Sequence, residues 1–195
     1  VGSMMKNLGA GFATSGAYCV GKKDVIADIA ERYSAPCIGK DLGANFNQLA
    51  SYFKGFFVAP ATVAATLKAM AFAARMCELS GFDGISPRYD EIRTDIVQTA
   101  DFGSAEMLIK FCTGIQRGSP IEAYATPYPS EMPGYPHPEV SAAGTFITGA
   151  TNELSCDGPL TPPYTAFMQG ALTYEYGKLG IMRAIDEMFD RHKEI

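Results

Sequence analysis

The apolar positions change period several times along this chain, and each change marks an element. Phe12 to Val20 reads FATSGAYCV, small and apolar between Gly11 and Gly21, which predicts a buried strand. From Lys22 to Tyr33 the period lengthens, with Val25, Ile26, Ile29 and Ala30 on one side of a helix. Ser34 to Gly43 holds Pro36, Gly39 and Gly43 and reads as a connection. Asn45 to Val58 returns to helical spacing, with Phe46, Leu49, Phe53, Phe56 and Phe57 as an apolar stripe. Pro60 suits the first turn of a further helix, where its missing N–H costs nothing. The alanine-rich run 61–79 predicts that helix, stopping near Gly81.

Beyond Gly81 the elements shorten. Ile85–Tyr89 and Thr94–Thr99 read as strands. Ser104 is placed to cap a helix with Met107, Leu108, Phe111, Cys112 and Ile115 inward. Ala123–Tyr135, with Pro127, Pro129, Pro133 and Gly134, is a loop. Val140–Thr148 and Ala150–Ser155 have strand character, and Asp157–Pro163 reads as a tight turn. A last helix spans about Thr173–His192, with Leu179, Met182, Ile185 and Phe189 on one side. The order is strand, helices, a long helix and a small α+β lobe, divided near 60–80.

Composition narrows the classes. The 195 residues are 47% hydrophobic and 19% charged, with a net charge of −5 and scattered basic residues. That argues against a nucleic-acid groove. The longest apolar run, Val58–Met76, is interrupted by Pro60, Lys68 and Arg75, so no membrane span is expected. No secretory signal pattern opens the chain, and a cytoplasmic location is expected. Cys19, Cys37, Cys77, Cys112 and Cys156 are odd in number and widely spaced, as in a reduced protein. His137 and His192 have no ligand-spaced companions, so no zinc site is expected.

The chemistry concentrates at Lys6, which opens a glycine-rich stretch containing Gly9 and Gly11. Six segments in order carry a resemblance: GSMMKN (2–7), YCVGKKDVI (18–26), SPRYDEIRTDIVQTADFGS (86–104), MPGY (132–135), AAGTFITGATNELSCDGP (142–159) and PPYTAFMQGALTYEYGKLGI (162–181). Together they resemble the pyridoxal-phosphate-dependent carbon–sulfur lyase-like family. That family is labelled methionine gamma-lyase-related, cystathionine beta-lyase-like or aluminium resistance protein.

The resemblance implies an α/β protein of fold type I, the pyridoxal-phosphate-dependent transferase-like class. Residues 1–60 would be the C-terminal end of the large cofactor-binding domain. Residues 61–195 would be a linking helix and a small C-terminal α+β domain. Phe12–Val20 and 61–79 then correspond to the strand and long helix that follow the family's lysine. Lys6 would be the Schiff-base lysine, holding pyridoxal 5'-phosphate and moving the α-proton before elimination of a thiol from a sulfur-containing amino acid. Ser3, three residues earlier, would contact the cofactor phosphate.

An arginine would clamp the substrate carboxylate with two parallel hydrogen bonds. Arg88, Arg93, Arg117 and Arg183 are candidates, and Arg93 in EIRTDIVQ is preferred. Its competing reading is a surface ion pair with Asp90 or Glu91. The family pattern often carries an arginine where this chain has Thr161; if that arginine is the clamp, this chain lacks it. Tyr164, Tyr174 and Tyr176 read as core aromatics, Cys156 as structural and His137 as a loop residue. Only five residues precede Lys6, so the groups that hold the cofactor ring are expected on an upstream part. The intact protein is expected to be a homo-oligomer, a dimer or tetramer, acting on a small amino acid without nucleic-acid or membrane partners. The alternative is an inactive fragment, or a non-enzymatic α+β interaction module that binds no cofactor.

Overall fold

A computed structural model describes residues 1–39, 41, 47–143 and 152–190. Its centre is a five-stranded antiparallel sheet. The strands are β3 (Asp83–Ser86), β4 (Gln98–Asp101), β5 (Glu139–Ala143), β6 (Ser155–Pro159) and β7 (Thr165–Gln169), in the order β3-β4-β7-β6-β5. Register is set by period-two burial. In β7, Ala166 and Met168 point into the core while Phe167 points out, and Gln98 of β4 pairs with Met168.

One face of the sheet is covered by three helices. These are α2 (Leu49–Leu79), α3 (Ala105–Arg117) and α4 (Tyr174–Met188). Helix α3 lies against β5 and β6, α2 against β3, β4 and β7, and α4 against both helices. Leu108, Phe111, Met70, Met168 and Ile181 are fully buried between them. Gly114 lets α3 meet α4 closely: a Cβ there would lie 2.4 Å from the Ala184 Cα. Ser104 caps α3 as expected, its hydroxyl accepting from the Met107 N–H at 3.2 Å. Thr173 does the same for α4 through the Tyr176 N–H, at 3.2 Å. Tyr164, Tyr174 and Tyr176 pack against this core. Cys77, Cys112 and Cys156 are buried thiols, and burial pushes Cys77 up to about 12.

Several expectations are corrected. Phe12–Val20 is not a strand along its length. Only β2 (Ala17–Tyr18) pairs, with β1 (Gly2–Ser3), because that two-residue partner is all that lies beside it among the described residues. Helix α1 (Lys23–Tyr33) forms, but it buries no residue, so its apolar side meets no core. Pro60 does not begin a helix. It lies inside the single 31-residue α2, on the exposed side, where water can take the carbonyl that the proline leaves unpaired.

By length and composition α2, whose mean hydropathy reaches 1.6 over an 18-residue stretch, could cross a bilayer, contrary to the reading that Pro60, Lys68 and Arg75 break the run. Its C-terminal half instead is core: Met70, Ala73, Ala74 and Cys77 are fully buried. Phe46 lies outside the described residues, and Leu49, Phe53, Phe56 and Phe57 are exposed.

The C-terminal half of the chain brings further differences. Asp157–Pro163 is not a turn from its start, since β6 runs to Pro159. Gly158 lets it pass under α3, as a Cβ there would lie 3.1 Å from Leu108. The strand expected at Ala150–Ser155 starts only at Ser155, and residues 144–151 lie outside the described residues. The inward face of α4 is Gly177, Gly180, Ile181, Ala184, Ile185 and Met188, whereas Leu179, Met182 and Phe189 are exposed. Helical spacing was right, but the glycines let a different stripe approach closely. His192 also lies outside the described residues.

Candidate functional site

The Lys6 segment is a tight turn seated on α2. Residues Asn7–Gly9 form one 3₁₀ turn, closed by the Gly9 N–H to the Lys6 carbonyl at 2.9 Å. The Phe12 N–H returns to the Gly9 carbonyl at 2.7 Å. Gly9 has no room for a side chain: its Cβ would fall 1.8 Å from the Met4 carbonyl oxygen. Gly55 on α2 is equally constrained, since a Cβ there would lie 2.4 Å from the Gly9 carbonyl oxygen. Two glycines thus bring the turn's backbone against the helix backbone. The Lys54 ammonium sits 4.7 Å from the centre of the Phe12 ring and adds a second tie.

Within the turn the Lys6 side chain is exposed. The Ser3 hydroxyl accepts from the Met5 N–H at 3.2 Å, so its own hydrogen can be donated elsewhere.

Arg93 lies just before β4, half-buried. Its guanidinium donates to the Gln98 side-chain oxygen, and to the Val97 carbonyl at 3.5 Å. Gln98 is fully buried, and its amide nitrogen donates to the Pro87 and Thr99 carbonyls, both at 3.0 Å. The carboxamide is therefore fixed, and it fixes the arginine. Burial holds the Arg93 pKa below its ordinary value, with Asp95 acting in the opposite sense.

The expected competitor, an ion pair with Asp90 or Glu91, does not form at Arg93. Arg88 takes Asp90 at 3.7 Å and Glu78 at 3.5 Å, and Glu91 accepts from the Arg88 N–H at 2.8 Å. Arg117 and Arg183 are both committed to Glu187. Of the four arginines considered, only Arg93 has no salt bridge among the described residues.

The topology carries these groups to one end of the sheet. Gln98 at the start of β4 pairs with Met168 near the end of β7, and Gln169 pairs with Ser155 at the start of β6. Just before β6, the Asn152 carbonyl accepts from the Ala171 and Leu172 N–H groups at 2.9 and 2.8 Å. The Asn152 side chain faces the Lys6 segment: a Cβ on Gly11 would lie 3.7 Å from its amide nitrogen. Asn152 is 1% exposed, and neither amide atom has a hydrogen-bond partner among the described residues. Gln98, Asn152 and Gly55 were not singled out in the sequence. Gln98 carried no readable signal, since IVQTA alternates in burial but not in hydropathy. Gly55 had none, because its reason is a contact 46 residues away.

On the sheet's other face a cavity of about 590 Å³ is lined by Tyr135, His137, Glu139, Asp157, Thr161 and Phe167 among others. Thr161 thus faces this cavity. Burial, and secondarily Glu139, holds the Asp157 carboxyl above its ordinary value.

The methionine gamma-lyase family profile matches residues 1–189. The chain belongs to that family. It is 45% identical over 190 residues to an uncharacterised Bacillus subtilis protein, covering 97% of this chain and 45% of that one. A Clostridium novyi structure named as a carbon–sulfur lyase involved in aluminium resistance superposes with TM-score 0.87 at 40% identity, over 94% of this chain and 43% of that one. A Listeria monocytogenes structure, provisionally named a cystathionine beta-lyase involved in aluminium resistance, gives 0.91 at 39% identity, over 96% and 46%. The chain therefore spans a little under half the length of these relatives.

Proposed function

We propose that this chain is the C-terminal part of a pyridoxal-phosphate-dependent carbon–sulfur lyase of fold type I, acting on a sulfur-containing amino acid. Lys6 is the cofactor-holding lysine, Ser3 a phosphate donor and Arg93 the carboxylate clamp. The observation that carries the reading is Arg93: a guanidinium positioned by a fully buried glutamine and without a salt bridge among the described residues. A half-buried cation held this way is ready for a carboxylate from outside the chain.

Ser3 and Lys6 suit the attachment end of the cofactor, since a hydroxyl hydrogen and an exposed amine lie on one tight turn. When bound, the cofactor supplies the electron sink that stabilises charge at the substrate α-carbon. The chain's own part is positional. The Gly9–Gly55 contact fixes the turn, so the Lys6 amine can hold the cofactor and then carry a proton. Gln98 keeps the Arg93 fork oriented while it binds the α-carboxylate.

The test is covalent trapping. This chain, alone and with the unmatched region of the Bacillus subtilis relative, is incubated with pyridoxal phosphate, reduced with borohydride and mapped by peptide mass. Labelling concentrated on Lys6 and lost in Lys6→Ala is the expected result. Labels spread evenly over surface lysines would sink the proposal.

A further inference from the structure

The N-terminal half of α2 presents an apolar stripe that no other described part of the chain covers. Leu49, Phe53, Phe56 and Phe57 recur at helical spacing on one side and are 57%, 73%, 60% and 87% exposed. The opposite side holds Gly55 and Ala59, and its stripe continues into the buried Thr66, Met70, Ala73 and Cys77. One helix is thus a core helix at its C-terminal end and a bare apolar ridge at its N-terminal end. A helix apolar on all sides belongs in an interior, and three exposed phenylalanines on one ridge are the anchor type that fills pockets on a partner.

We infer that this ridge is the docking surface for a separate folded body, the one that occupies the remaining length of the relatives. The relatives' lengths choose the occupant. In the Bacillus subtilis protein and both solved structures, more than half of the polypeptide lies outside what this chain matches. The ridge is also joined to the Lys6 turn, because Gly55 and Lys54 on the same helix segment touch Gly9 and Phe12. A body docked on Phe53 and Phe57 therefore engages the same helix segment that seats the Lys6 turn. That this body completes the cofactor site rests on the proposed function; the docking itself rests on the exposed ridge and the lengths.

The test is co-expression of the tagged 195-residue chain with the unmatched region of the Bacillus subtilis relative, followed by sizing with light scattering. A one-to-one complex is expected. Phe53→Glu with Phe57→Glu should weaken it about a hundredfold or more, as loss of two aromatic anchors does. Leu179→Glu, on an exposed position of α4, should leave it intact. Phe57→Ser repeats the test without adding charge, and circular dichroism checks that each variant is folded.

The inference is overturned if no complex forms, or if the complex is indifferent to the phenylalanines. It is equally overturned if the same substitutions instead break a dimer of this chain, or abolish flotation with phosphatidylcholine vesicles. Borohydride labelling separates the two proposals. A complex without Lys6 labelling keeps the docking and removes the cofactor. Lys6 labelling without a complex does the reverse.

Discussion

Gly55→Ala tests how the Lys6 turn is held. In an ordinary helix interior this change is stabilising by about 1 kcal/mol, because glycine costs backbone entropy. Here the added methyl would sit 2.4, 2.7 and 2.8 Å from the Gly9 oxygen, carbonyl carbon and Cα. These are backbone atoms, so no rotamer change relieves the overlap. The turn must withdraw by roughly 1 Å, and overpacking of this kind costs about 1–3 kcal/mol.

The two sides of the contact are not equally anchored. Helix α2 is locked along its buried C-terminal half. The turn is tied by a two-residue ladder, the Met4 N–H to Gly16 carbonyl bond at 2.9 Å and the Lys54–Phe12 contact. The turn should therefore yield, and the helix should keep its propensity gain. Global unfolding by urea should be unchanged or raised by up to about 1 kcal/mol. Amide exchange across residues 2–18 should quicken by about 5- to 150-fold, the equivalent of 1–3 kcal/mol. Exchange-mass spectrometry of the 2–18 and 66–77 peptides reads both. If 2–18 keeps its protection, or if 66–77 loosens instead, Gly55 is not what seats the turn.

Other outcomes follow from the same structure. Asn152→Leu removes two buried amide atoms that have no partners among the described residues and should raise stability by about 1–3 kcal/mol in urea denaturation; a loss of that size would mean the amide is bonded. Arg93→Met should abolish carboxylate binding in the assembled protein, measured as a rise in amino-acid KM well above the effect on kcat, whereas Arg117→Met should not. Ser104→Ala strips the α3 cap and should cost about 1 kcal/mol in thermal or chemical unfolding. Asp157 has a folded pKa above its ordinary value. It binds more protons folded than unfolded, so its contribution to stability falls as pH rises from the ordinary carboxylate value through the folded one. Asp157→Asn should remove that part of the acid-limb slope in stability measured against pH.

Local signals were readable where the reason is local. Ser104 and Thr173 sit at helix starts because a hydroxyl can reach an N–H three residues on, and spacing alone reveals that. The β7 strand is not legible in TAFMQ, whose three central residues are all apolar, and its alternation exists only in the folded burial. The α4 face was misplaced because large side chains were counted as inward, whereas Gly177 and Gly180 decide the approach through their lack of a side chain. Lys6, Ser3 and Arg93 could be named from the resemblance, but not the groups that hold them in place. Gln98 acts through its burial in the sheet and its hold on Arg93, and Gly55 through a contact 46 residues away, and no spacing in a single sequence records either.

The failure of Phe12–Val20 to form a strand and the exposure of the α2 ridge have one physical origin. An apolar run becomes a strand only if a partner ladder lies beside it, and an apolar stripe is buried only if a surface faces it. Both segments carry patterns that call for such partners, and among the described residues the first finds only the two-residue β1 and the second finds none. By contrast, every strand from β3 to β7 is paired and α3 and α4 bury their inner faces. Satisfied and unsatisfied patterns therefore divide within α2. The helix is complete where it meets the sheet lobe and waits for a partner where it meets the Lys6 turn. The exposed ridge lies on the helix segment whose Gly55 and Lys54 seat the Lys6 turn, so the body inferred to cover the ridge would meet this chain on the element that also holds that turn.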